Sequence, residues 1–105
     1  MEKQIAQTIL NQINSLDKWA MPSYAAENLT VLPEQTTHQG GLYFKCNGYK
    51  VKGSVHILLH WNDTYTIKFF DNNRNLMKEL DGVYCDQLVE VLDYIEEREV
   101  EFSLN

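Results

Sequence analysis

The chain has 105 residues, which suits one small domain built around a single core. Its formal net charge of −6 works against indiscriminate attraction to nucleic acid or anionic membrane. No apolar run reaches the roughly 18–20 residues of a membrane span. The opening MEKQIAQTIL lacks the basic stretch and unbroken apolar segment of a signal peptide, so a cytoplasmic location is expected.

Within residues 1–20, Ile5, Ile9, Ile13 and Leu16 recur at helical spacing, and Leu10 widens the stripe. Lys3, Gln4, Gln7 and Gln12 face away, which predicts an amphipathic helix to about residue 18. Pro22 disfavours helix just before it, leaving a compact connection with a short helical turn. Trp19 or Tyr24 is expected to cover the edge of the core.

Residues 28–80 form a β-rich middle. A short strand over 28–32 is closed by Pro33, and the polar segment 34–41 reads as a loop. A strand over 42–46 leads into Asn47-Gly48, whose tolerance of positive φ predicts a type I′ hairpin turn. The next strand spans 49–61, bent by a bulge at Gly53. On it Val55, Ile57, Leu59 and Trp61 share one face, and His56, Leu58 and His60 the other. Asn62-Asp63 turns the chain into a strand over 65–70, where Tyr65, Ile67 and Phe69 alternate with Thr66, Lys68 and Phe70. A second, Asx-rich turn at 71–75 precedes an edge strand at 76–80. Asp81-Gly82 ends this pattern. A last helix falls within 84–99, from about Asp86, burying Leu88, Val91, Leu92 and Ile95. Val100, Phe102 and Leu104 alternate in a tail expected to be partly ordered. The predicted class is α+β: an N-terminal helix, an antiparallel meander of three to five strands and a C-terminal helix, in one domain.

Charge is unevenly spread. Residues 79–105 carry nine acids and one base, whereas 41–78 carry six bases and two acids. Asp86, Glu90, Asp93 and Glu97 follow spacings of four, three and four, so one side of the last helix is acidic, with Tyr94 among them as an aromatic anchor. Like charges so spaced cost about 0.2–0.5 kcal/mol per pair, so the helix tolerates this face and is not built by it. The bland reading is a solvated surface. The functional reading is a non-enzymatic interaction domain whose carboxylates dock a protein with a basic surface, imitating nucleic-acid phosphates.

Two alternatives use other residues. Lys45, Tyr49, Lys50 and Lys52 surround the Asn47-Gly48 turn, a basic and aromatic grouping suited to weak nucleic-acid binding, against which the net charge argues. A small metal-dependent enzyme would need His38 to join His56 or His60, since those two lie roughly 13 Å apart along a strand. Asp71, Asn73 and Asn75 resemble the start of a calcium loop. Leu76 and Gly82, however, stand where its turn glycine and bidentate glutamate belong. Cys46 and Cys85 are isolated, and no phosphate loop or GxSxG elbow is present. No catalytic, cofactor or metal residue is assigned, and no enzymatic activity is expected. The abundance of large residues (Trp19, Trp61, Phe69 and Phe70 among them) admits a second copy of the chain against the sheet.

Four segments carry a resemblance in order. These are Tyr24-Ala25-Ala26-Glu27-Asn28, Gly41-Leu42-Tyr43-Phe44-Lys45-Cys46-Asn47-Gly48, Asn62-Asp63-Thr64-Tyr65-Thr66-Ile67, and the run from Gly82-Val83-Tyr84-Cys85 to Asp93. Over residues 24–97 the chain resembles small proteins carried by phages, prophages and related mobile elements of bacteria. The resemblance implies an interaction protein directed at the host or at another mobile element, including an inhibitor of a nucleic-acid-processing enzyme. It brings no catalytic residues with it.

Overall fold

The computed structural model describes residues 2–97. The tail from Val100 to Leu104, expected to be partly ordered, lies outside them. Helix α1 (Glu2–Leu16) and the short α2 (Ala20–Ser23) precede five strands: β1 (Glu27–Leu32), β2 (His38–Asn47), β3 (Lys52–His60), β4 (Tyr65–Asp71) and β5 (Leu76–Val83). Helix α3 (Leu88–Leu92) follows, flanked by 3-10 turns at Cys85–Gln87 and Asp93–Glu96. All neighbouring strands are antiparallel, and the order in the sheet is the order in the chain. The α+β arrangement expected from hydrophobic periodicity is therefore the observed one, with five strands.

One face of the sheet forms the core. Leu42 and Phe44 from β2, Val55 and Ile57 from β3, and Ile67 and Phe69 from β4 point to it. Ile9 and Ile13 of α1 and Leu88, Leu92 and Ile95 near the C-terminal end close over them. Each fully buried Ile, Leu or Phe contributes about 1.5–3 kcal/mol, so this layer supplies most of the cohesion. The opposite parity places Tyr43, Lys45, Ser54, His56, Lys68 and Phe70 on the outer face. None of the described helices lies against that face, because α1, α2 and α3 all join the one inner cluster.

Several local expectations change. Leu16, the last residue of α1, is exposed, and Ala6 takes a place in the buried stripe. Pro22 sits inside α2, in the first turn where its missing N–H is not needed. Tyr24 is wholly buried, whereas Trp19 is exposed. The segment read as a loop to residue 41 is strand from His38, with a register shift between His38 and Gly40. Gly53 is no bulge; it pairs in register with both Cys46 and Asp71.

The β2–β3 connection differs most. Gly48 is not among the residues with positive φ, and the loop spans 48–51 instead of making a two-residue turn. Backbone bonds hold it: Lys50 N donates to Ile95 O at 2.8 Å and Val51 N to the same oxygen at 3.3 Å. A Cβ on Gly48 would collide with the side chain and carbonyl of Ile95. Glycine is thus needed for close approach of the C-terminal segment, not for turn geometry.

Candidate functional site

The acidic segment is less regular than a straight helix. It opens where the Tyr84 amide donates to Gln87 Oε1 at 3.1 Å. Leu88, Leu92 and Ile95 face inward, which fixes the rotation of the acids between them. Because 3-10 turns flank the five-residue α3, residues three apart align better than residues four apart at both ends. Asp86, Glu90, Asp93 and Glu97 are all exposed, yet they do not form one free row.

Glu90, Asp93 and Glu97 border a groove of about 530 Å³ between this segment and β5. Lys78, Leu80 and Asp81 supply the facing wall. Asp86 lies outside the groove, and Glu96 turns the other way, beside Ser23, Gly48 and Tyr49. Two of the four acids already have partners. Asp93 Oδ1 accepts the Tyr24 hydroxyl at 2.8 Å, and Glu97 Oε1 meets Lys50 Nζ at 3.2 Å. Asp86 and Glu90 have no such partner among the described residues. In the facing wall, Asp81 Oδ1 accepts the Thr66 hydroxyl at 2.7 Å.

Tyr94 is partly buried against the core. Its ring lies 4.9 Å from that of Phe69, and the Lys50 and Lys78 ammonium groups each lie 4.6 Å from its centroid. Such contacts are worth about 0.5–1 kcal/mol each near a surface, and they hold the ring in the floor of the groove. Tyr94 is thus a fixed part of the groove floor, not a projecting anchor. Four carboxylates and two ammonium groups leave the groove net negative.

The hairpin residues do not all turn the same way: Lys45 and Lys52 share strand parity, and Lys50 departs from them. Lys45 points to the outer sheet face, Lys50 turns to Tyr94 and Glu97, and Tyr49 and Lys52 lie at the hairpin end beside Glu96. The four-residue loop causes this separation, because its bonds to Ile95 rotate Lys50 toward the helical layer.

The histidines divide into two environments. His38 and His60 are register partners on β2 and β3. His38 is buried, and burial lowers its pKa, with His60 and Lys68 adding to the effect. His60 Nδ1 lies 3.0 Å from Thr37 O, and its Nε2 meets the Thr66 hydroxyl. Both ring nitrogens of His60 are therefore occupied. The Asp81 carboxylate contacts the hydroxyl and not the imidazole, and Thr66 is buried, so this chain of contacts lacks the order of a nucleophilic triad. Among the described residues no three His, Cys, Asp or Glu gather as a metal site would require. Cys46 is buried and donates to Val51 O, and burial raises its pKa; Cys85 is exposed.

His56 stands apart on the outer face. Its ring is 5.1 Å from Tyr43 and 4.8 Å from Phe70. With Ser54 and Arg74 these three line a concave site of about 360 Å³. Sequence reasoning missed this grouping. Strand parity sets Tyr43, His56 and Phe70 on one face, but only the register makes them neighbours. The Asx turn then brings in Arg74. Asp71 Oδ1 accepts the amides of Asn73 at 2.8 Å and Asn75 at 2.9 Å, and Arg74 adopts φ of 65°. The chain matches no family model, no curated protein and no solved structure.

Proposed function

We propose that the protein is a non-enzymatic interaction module whose groove between β5 and the α3 segment receives a basic, extended stretch of a partner protein. The observation that carries this reading is the groove itself. It gathers Glu90, Asp93 and Glu97 from one element and Asp81 from another around the apolar floor of Leu80, Val91 and Tyr94. β5 is the last strand of the sheet, with β4 as its only described neighbour, so one side of its backbone has no strand partner. An added strand would take main-chain hydrogen bonds there, while alternate Lys or Arg side chains met the carboxylates. The occupied nitrogens of His60 and the buried Thr66 support a structural role for these two polar groups. An anti-host or anti-element role, including inhibition of a nucleic-acid-processing protein, is consistent with such a partner.

Glu90 is the residue to test, since it has no internal partner to lose. A fluorescent peptide of alternating Lys and Val should bind the protein at low salt, and Glu90→Lys should weaken that binding at least about tenfold, equivalent to 1.4 kcal/mol. Reversal of Asp86, outside the groove, should change affinity far less. Equal affinity for wild type and Glu90→Lys would remove the groove from consideration.

A further inference from the structure

The outer sheet face carries a second site, independent of the groove. Tyr43, Ser54, His56, Phe70 and Arg74 line a concavity, and four of these five side chains carry polar groups. The Tyr43 hydroxyl, the Ser54 hydroxyl, both ring nitrogens of His56 and the Arg74 guanidinium make no hydrogen bond to another described residue. A concavity with aromatic walls and a few polar side chains that make no hydrogen bond within the fold has the ordinary composition of a small-ligand site. The volume, about 360 Å³, lies at the lower end of the range such sites occupy.

The ring geometry favours a planar guest. Tyr43 and His56 meet at 75°, and His56 and Phe70 at 49°. Rings so inclined make a corner and not a closed stack, so a flat molecule can lie on one face and meet the edge of another. Burial, and then Lys68, lowers the His56 pKa, which keeps this imidazole neutral and able both to donate and to accept.

Arg74 favours a guest with an anionic group. Arg74 lines the concavity, Lys45 is the register partner of Ser54, and Lys68 is the register partner of His56. Of the nearby acids, Asp71 is committed to its turn through the Asn73 and Asn75 amides, and Glu79 lies 3.7 Å from Lys68. Glu27 pairs in register with Lys45 but makes no ion pair with it among the described residues. The three cations are matched in number by these three acids, so the positive charge that a guest meets is Arg74, which lines the concavity and makes no ion pair among the described residues. The guanidinium offers planar paired donors matched to phosphate oxygens.

We infer that the Tyr43–His56–Phe70 corner with Arg74 binds a phosphate-bearing nucleobase, as a free nucleotide or as one unit of a single strand. The base lies against the aromatic rings and the phosphate meets Arg74, the division of labour by which open antiparallel sheets hold unpaired bases. The long-range repulsion from the acidic remainder of the chain limits the site to few phosphates and makes its affinity modest.

The test is titration of the whole chain, followed by amide NMR, with 5′-AMP, 5′-UMP, adenosine, inorganic phosphate and an eight-residue oligothymidylate. Both nucleotides should shift the amides of residues 43, 54–56, 70 and 74, and adenosine should bind at least about tenfold more weakly. Arg74→Asn, which keeps a residue tolerant of positive φ, should lower nucleotide affinity about tenfold, as should Tyr43→Leu. Tighter binding of the oligonucleotide per site assigns the guest to a single strand, and equal binding assigns it to a free nucleotide. Shifts confined to other residues, no shifts at 5 mM nucleotide, equal binding of phosphate and nucleotide, or unchanged affinity in both folded variants would overturn the inference. Each of those results would leave the groove on the helical side unaffected.

Discussion

Replacing Tyr24 by phenylalanine isolates one long-range polar contact that also decides which acids are free to bind. The Tyr24 ring is fully buried, and its hydroxyl donates to Asp93 Oδ1 at 2.8 Å across 69 positions of sequence. Asp93 is exposed, so in Tyr24→Phe its carboxylate regains water and no buried donor is orphaned. The cost is then the lower end of a hydrogen bond to a charged acceptor, about 1.5 kcal/mol. Asp93→Ala is different, because it strands a buried hydroxyl, at about 1–3 kcal/mol. The double variant should cost little more than the worse single one, giving a coupling energy of about 1 kcal/mol. Urea unfolding followed by far-ultraviolet circular dichroism measures all four states. In a thermal melt each kcal/mol should appear as a fall of about 4–8 °C. Additivity within about 0.3 kcal/mol would mean that the two groups do not interact in solution.

Three further outcomes follow from the same geometry. Burial is the main reason that the Tyr24 and Tyr65 phenols are held above the ordinary tyrosine pKa, Tyr65 at about 12. Both stabilise fully below about pH 10, where unfolded tyrosine ionises, and that stabilisation is lost as pH rises through the folded values. Tyr65 alone accounts for about 3 kcal/mol, so a stability profile flat between pH 9 and pH 12 would contradict its burial. Gly48→Ala should destabilise by about 1–3 kcal/mol through its collision with Ile95, and an unchanged denaturation midpoint would show that the loop is not clamped there. The Asn75 amide, then the Asn73 amide and the Asn75 side chain, lower the Asp71 pKa. Its contribution is present above the unfolded carboxyl pKa of about 3.9 and lost as pH falls through the lower folded value. A carbon-detected NMR titration should therefore place Asp71 below the unfolded value of about 3.9, and a midpoint at or above that value would exclude the turn.

Much of the architecture was legible because β3 and β4 alternate cleanly and Ile9, Ile13, Leu88, Leu92 and Ile95 repeat at helical spacing. What was not legible depends on contacts between distant segments. Asn47-Gly48 carries a strong local signal for a tight turn, but the Ile95 carbonyl, nearly fifty positions away, captures the loop amides and widens it. The acidic spacing around Glu90 was visible, whereas the engagement of Asp93 by Tyr24 and of Glu97 by Lys50 was not, since neither pair is close in sequence. Lys45, Lys50 and Lys52 show the converse. Nearness in sequence suggested one cluster of three, and the loop takes Lys50 out of it toward Glu97, while Lys45 and Lys52 keep the same strand parity.

Because strand order equals chain order, every ladder of the sheet joins segments that are consecutive in sequence. Their connections are short, spanning 33–37, 48–51, 61–64 and 72–75, so the entropy lost in closing each hairpin is small. The helical layer is assembled otherwise. α1 touches α3 and the turn before it, which brings the two ends of the described chain together across the whole intervening sequence. A single long-distance closure therefore completes what four local ones begin, and the same closure seats Ile95 on the hairpin and Asp93 on Tyr24.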